Sequence, residues 1–253
     1  MEQEQVFDRV AEVYDVETGD VGDVDFYLDL AREQGSPVLE LASGTGRVST
    51  ELAKAGFDVV GLEISEKMLE IAQRKTQKLP ENVRKRLKWI QADMREFDLG
   101  RTFPLVIIPF RSFQHLETRA DQEACLVCVA KHLEVGGRFV LSLFAPSYER
   151  LVNKRMFYSL GTKETDNGFL TRIERVTHDH VNQIIHIEWT YDILDLSGNL
   201  KRTLWKFSVR YLWRFEAELL LEKAGLEVEV LYGDYERSEF RHDGGMLFIA
   251  RKP

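Results

Sequence analysis

Between residues 37 and 145 the sequence repeats one pattern, a short apolar run followed by a turn and then a stretch with helical spacing. Such alternation is the signature of parallel strands joined by covering helices, because a parallel connection must cross the sheet and a helix makes that crossing compactly. Val38 to Leu41, Val59 to Leu62, Leu87 to Gln91, Leu105 to Ile108 and Phe139 to Phe144 read as strands. Helix punctuation falls between them. RVSTELAKAG ends at Gly56, suited to a left-handed cap, Ser65 precedes EKMLEIAQRKTQK, and Thr118 with Asp121 opens RADQEACLVCVAKHLE. Gly136-Gly137 is expected to turn the chain into the fifth strand.

After Pro146 the period shortens. FLTRIERVTH, QIIHIEWTYDIL and LKRTLWKFSVRYL alternate apolar and polar residues, which predicts three consecutive antiparallel strands with a hairpin at Gly198-Asn199. RFEAELLLEKAG then reads as a helix, and LEVEVLYG and MLFIA as strands returning to the first sheet. The expected fold is α/β, a doubly wound, mostly parallel seven-stranded sheet of Rossmann-like type with an inserted antiparallel β meander. Residues 1–145 and 212–253 would form the core, and 146–211 a subdomain covering the substrate.

Charge and composition narrow the partners. With a formal net charge of -8, the chain lacks the basic footprint that a phosphate backbone requires, so nucleic acid is not expected. The one basic run, Arg84, Lys85, Arg86 and Lys88, is flanked by Glu81 and Asp93 and reads as a solvated surface. The acidic start MEQEQVFDRVAEVYDVE is unlike a secretory leader, and no apolar run has membrane-spanning length, so no membrane partner is expected. Two cysteines point to a reducing, cytoplasmic compartment. Cys125 and Cys128 share a helix face with only His132 nearby, so two ordinary thiols are expected rather than a metal site. Exposed meander edges would allow a homodimer.

In an open parallel sheet the ligand lies beyond the carboxyl ends of the strands, which makes the residues after each apolar run informative. The first run leads into ASGTGR, where Gly44 and Gly46 permit a tight turn and close backbone approach. Glu63 follows the second, a carboxylate able to accept both hydroxyl protons of a ribose. The third leads to Asp93 and Met94, and the fourth to Phe110, Arg111, Ser112 and His115. VLELASGTGR, VVGLEIS with Met68-Leu69, QADM and the strand closing on PFRSFQHL, taken in that order, closely resemble the motif series of class I S-adenosylmethionine-dependent methyltransferases. The resemblance covers about residues 37 to 145. The later antiparallel strands make it closest in layout to glycine-type N-methyltransferases and to N,N-dimethyltransferases of deoxyamino sugars.

That resemblance implies S-adenosylmethionine as cofactor and S-adenosylhomocysteine as product. Ala42, Gly44 and Gly46 would hold the methionine part, with Glu40 helping to set its amino end. Glu63 would take the ribose, Asp93 the adenine amino group, and Met94 and Phe110 the face of the base. Ala42 stands where the family has a glycine, a replacement acceptable if its φ is negative. VAEVYDVETGD resembles a lid segment, bringing Tyr14 near the sulfonium and Tyr27 near the loop after the first strand.

Methyl transfer by in-line displacement is mainly a matter of placement, worth roughly 7 to 11 kcal/mol when the reactants are well aligned. His115 is the candidate base for a nitrogen or oxygen acceptor, with a purely loop-ordering role as the alternative. Arg111 would orient the cofactor carboxylate or an acidic substrate, or form a surface ion pair. Trp189, Tyr191, Trp205, Phe207, Tyr211 and Trp213 either pack the meander or roof the cleft, and Arg210 and Tyr211 are the expected acceptor contacts. The expected substrate is a small molecule. A DNA-base enzyme is disfavoured because Ile108-Pro109-Phe110 stands where an acidic or amide residue and Pro-Pro-aromatic would be. Two further readings stay open: a nicotinamide oxidoreductase using Glu63 for its ribose, and a non-catalytic regulator that binds S-adenosylmethionine.

Overall fold

The computed structural model describes every residue except 1–2, 9, 20, 153–157, 166–167 and 242–243. Two short helices, α1 (Gln3–Asp8) and α2 (Ala11–Thr18), precede α3 (Val24–Gln34), β1 (Val38–Leu41), α4 (Arg47–Lys54), β2 (Val59–Glu63), α5 (Glu66–Gln77), α6 (Glu81–Arg84), β3 (Leu87–Gln91) and β4 (Phe103–Ile108). There follow α7 (Arg119–His132), β5 (Leu133–Phe144), α8 (Tyr148–Val152), β6 (Tyr158–Thr165), β7 (Gly168–Asp179), β8 (Ile184–Asp195), β9 (Leu200–Arg210), α9 (Arg214–Lys223), β10 (Glu227–Tyr232) and β11 (Gly245–Arg251).

The main sheet has the order β10-β11-β5-β4-β1-β2-β3, with β11 antiparallel to both its neighbours and the rest parallel. β1 and β2 are buried along their whole length, which is why they read as continuous apolar runs. Successive residues of these strands feed two cores. Val38, Val59, Leu105 and Ile107 pack on Phe26 and Leu30 of α3 and Val48 and Leu52 of α4, whereas Leu39, Leu41, Val60 and Val106 pack with Leu126 and Val129 of α7 and Leu220 and Leu221 of α9. Truncating one of these leucines to alanine would cost about 2–5 kcal/mol, so the strand register is firmly fixed. The expected caps form: Met68 N–H donates to Ser65 Oγ at 3.2 Å and Asp121 N–H to Thr118 Oγ1 at 3.1 Å. Sheet order reverses between β1 and β4, and that is where a crevice must open at the carboxyl edge.

A separate antiparallel sheet of order β6-β7-β8-β9 holds four strands where three were expected, because β6 pairs with β7 although its sequence carries little alternation. Trp189 and Trp205 face each other across β8 and β9, and one face of the sheet packs on Phe7 of α1, Ala11 and Tyr14 of α2 and Met68 and Ile71 of α5. β5 also begins earlier than expected. Gly136, at φ 80°, lies inside the strand, with its N–H donating to the Lys252 carbonyl, and does not form a turn before it. Among the described residues, no helix is long and apolar enough to cross a membrane.

Candidate cofactor crevice and acceptor cavity

The crevice beyond β1 to β4 is lined by Ala42 and Gly44 after β1, Leu62, Glu63 and Ile64 at the end of β2, Ala92, Asp93 and Met94 after β3, and Ser112 and His115 after β4. Four strand ends thus converge as their order in the sequence implies. Phe7, Tyr14 and Met68 complete the wall, and with α1 and α2 lying across it about 60 Å³ remains open.

The turn after β1 is fastened to its neighbour strand. Ser43 N–H donates to the Leu62 carbonyl at 3.0 Å and Gly46 N–H to the Ser43 carbonyl at 2.9 Å. Ala42 has φ 54°, so the expectation of a negative φ there is wrong; the bend needs a left-handed residue at Ala42 as well as at Gly44, with φ 56°. Gly46 lies outside the crevice, and the Trp89 indole covers the place where its Cβ would stand.

Glu63 is buried, and its carboxylate is already engaged. Gly44 N–H donates to Oε2 at 2.8 Å, and Ile64 and Ser65 N–H groups donate to Oε1, each at 2.9 Å. A carboxylate offers about four acceptor sites, so with three amides bound one remains, on Oε2. Burial raises the Glu63 pKa while the three amides oppose it. Asp93 lines the crevice but accepts from Arg95, whose backbone N–H lies 2.8 Å from Oδ1 and whose guanidinium also bonds Asp121 at 2.9 Å. Glu40 sits beneath the turn, buried and accepting from Ser49 Oγ, and burial raises its pKa to about 8. Beside it Arg47 pairs with the buried Asp23.

α1 and α2 are tied down by polar contacts. Ser65 Oγ donates to Asp8 at 2.6 Å, and Asp15 accepts from Thr45 Oγ1 while pairing with Lys75 Nζ at 2.6 Å. Tyr14 Cε1 lies 3.8 Å from where a Gly44 Cβ would be. Tyr27 is fully buried in the core with Phe26 and Tyr235 and does not line the crevice.

A second cavity, of about 410 Å³, opens on the far side of the same wall, and Phe7, Tyr14, Ser112 and His115 line both. Phe110 and Arg111 belong to this second space and not to the crevice; their φ values of 52° and 68° make two successive left-handed steps after β4. Its roof is the aromatic face of the second sheet, with Trp189, Tyr191, Trp205 and Phe207. Arg210 and Tyr211 are not brought there. Arg210 has the opposite strand parity to Trp205, Phe207 and Val209 and pairs with Glu216 at 2.8 Å, and Tyr211 lies beyond β9, buried, with its N–H bonded to the Gln183 carbonyl. Sequence reasoning missed Phe7, Lys163 and Arg172. The available signal was that Arg172 falls in phase with the buried Leu170 and Glu174 on β7, an unusual place for a cation.

His115 rests edge-on to Phe7, with ring centroids 5.0 Å apart, and lies 5.5 Å from Phe207. Burial lowers its pKa to about 4, against an upward pull from a hydrogen bond to the Ser208 backbone. The ring is therefore neutral at pH 7. A neutral imidazole that donates through one nitrogen keeps the other as an acceptor.

Comparison with known proteins shows what the chain is related to. The model of a methyltransferase domain matches residues 38–137. The chain is 30% identical to an uncharacterized methyltransferase of Bacillus licheniformis, over 63% of its own length and 69% of that protein. It is 35% identical to the dTDP-3-amino-3,4,6-trideoxy-alpha-D-glucopyranose N,N-dimethyltransferase of Streptomyces venezuelae, over 51% of its own length and 58% of that protein. The CcbJ methyltransferase of Streptomyces caelestis superposes with a TM-score of 0.86 at 27% identity, covering 100% of this chain and 99% of that one.

Proposed function

The chain belongs to the class I S-adenosylmethionine-dependent methyltransferases, and on that premise we propose that it methylates a nitrogen of a small-molecule amine. The observation that carries this reading is the shared wall: a crevice with the family's acids and glycine turn meets an aromatic cavity of small-molecule size at Phe7, Tyr14, Ser112 and His115. The donor set fits the cofactor. Ala42 and Gly44 would hold its methionine part with Glu40 and Gly46 shaping the turn from below, Glu63 one ribose hydroxyl, and Met94 the adenine, whose amino group would share Asp93 with Arg95. S-adenosylmethionine supplies the methyl group and, in its sulfonium, the leaving group.

The protein's own part is placement. Since about 60 Å³ of open space is only a couple of waters' worth, entry requires α1 and α2 to lift, and exposed ion pairs such as Asp15–Lys75 resist this by only about 1 kcal/mol or less. The aromatic cavity disfavours a protonated amine by desolvation, leaving the nitrogen lone pair ready. His115 accepts a hydrogen from that nitrogen, and Tyr14 flanks it from the covering helix. Arg111 is assigned to the acceptor side. Segment 146–211 would form the covering subdomain and 1–145 with 212–253 the core, with Arg210 and Tyr211 steadying the junction through Glu216 and Gln183. A cytoplasmic location suits the free Cys125 and Cys128, and the β9 edge suits a homodimer.

The test is turnover of S-adenosylmethionine with panels of matched amines and alcohols, followed by S-adenosylhomocysteine release. Amine-dependent release that His115→Gln lowers by about a hundredfold is expected. Release with alcohols alone would refute nitrogen as acceptor, and cofactor binding without turnover would favour a regulator.

A further inference from the structure

The chain carries 42 acidic and 34 basic side chains, yet among the described residues the charged groups lining the acceptor cavity are Arg111, Lys163 and Arg172, and no described carboxylate lines it. These cations come from three separate elements: the loop after β4, β6 and β7. Lys163 pairs in register with Leu170, two residues from Arg172, so both stand on the cavity face of the second sheet. The Arg172 guanidinium lies 4.2 Å from the Trp189 ring centroid, a stack that fixes the orientation of its planar donors. Trp205 lines the same wall, 4% exposed, and its Nε1 has no hydrogen-bond partner among the described residues. A buried donor in a cationic wall calls for an acceptor atom from the ligand.

We infer that the amine acceptor also bears an anionic group, a carboxylate or a phosphate, held by Arg172 and Lys163 with Trp205 as a further donor. This rests on the amine-methylation reading and adds to it the substrate class. Arg172 and Lys163 are thus specificity-determining residues, remote from the methyl transfer itself.

Tryptophan fluorescence reports on this wall directly through Trp189 and Trp205. The probes are two pairs that differ in the anion: phenylalanine against 2-phenylethylamine, and pyridoxamine 5′-phosphate against pyridoxamine. Each is titrated with and without S-adenosylhomocysteine. The anionic member of at least one pair should bind about tenfold more tightly or better, as a charge-assisted hydrogen bond implies, and the pair that discriminates identifies carboxylate or phosphate. R172Q should shrink that ratio severalfold while R172K retains part of it, and K163Q, at an exposed strand position, should shrink it without endangering the fold. Equal or weaker binding of the anionic members in both pairs, no binding of either, or equal weakening of both members by R172Q would overturn the inference. Failure of S-adenosylhomocysteine to bind, with the anion preference intact, would instead overturn the cofactor reading alone.

Discussion

Replacing Glu63 by glutamine changes one oxygen into an NH₂ group, and three backbone amides then compete for one carbonyl. If that carbonyl keeps Ile64 and Ser65, whose N–H groups lie 2.9 Å from Oε1, the new NH₂ faces the Gly44 N–H, which lies 2.8 Å from Oε2 in the native chain. One hydrogen bond to a charged group is lost, worth about 1.5–3 kcal/mol, and a part-buried donor loses its protein partner. Burial raises the native Glu63 pKa, so removing the charge returns part of its desolvation cost. The net loss without ligand should be about 1–3 kcal/mol, read from urea unfolding followed by circular dichroism with m unchanged. Saturating S-adenosylhomocysteine should then stabilise the variant by about 1.5–3 kcal/mol less than the native chain, since the remaining Oε2 site for a ribose hydroxyl is gone. Unchanged stability without ligand would refute the three-amide assignment. An unchanged ligand increment would refute the ribose contact.

Ala42→Gly should raise stability by about 0.5–1 kcal/mol, because the left-handed conformation at φ 54° costs alanine about 1–2 kcal/mol and the added backbone entropy of glycine returns part of that; a lower urea midpoint would contradict this. Glu40 has a folded-state pKa near 8, well above its unfolded value, so the folded state binds the extra proton between them. Its stabilising contribution is therefore complete below the ordinary carboxylate range and falls as pH rises toward 8, by on the order of 1 kcal/mol per unit. Glu40→Gln should flatten that slope, and an unaltered stability profile between those limits would show that Glu40 is ionised in the folded chain.

β1, β2 and β3 were legible almost to the residue, and the acids at their ends were legible in order, because parallel strand ends face one edge. β5 starts at Leu133 rather than Phe139, and Glu134, Val135 and Gly136 are exposed, so no apolar pattern marked that stretch. β6 left too little alternation to be seen. At the site the misses are of angle and parity. Ala42 adopts a conformation its side chain disfavours because the turn fastened to Leu62 requires it, and Phe110 and Arg111 bend past the crevice into the neighbouring cavity. Arg210 was one residue out of phase with Trp205 and Phe207, which in a period-two strand places it on the other face. The partners that already occupy Glu63 and Asp93 are backbone and neighbour groups that only the folded chain brings together.

The decisive measurement is isothermal calorimetry of the native chain with S-adenosylhomocysteine and, separately, with NAD. One S-adenosylhomocysteine per chain should bind, with affinity weakened by Glu63→Gln, and NAD should give no heat of binding. Binding of NAD alone, or of neither ligand, would contradict an adenosyl–sulfur cofactor lying across the ends of β1 to β4.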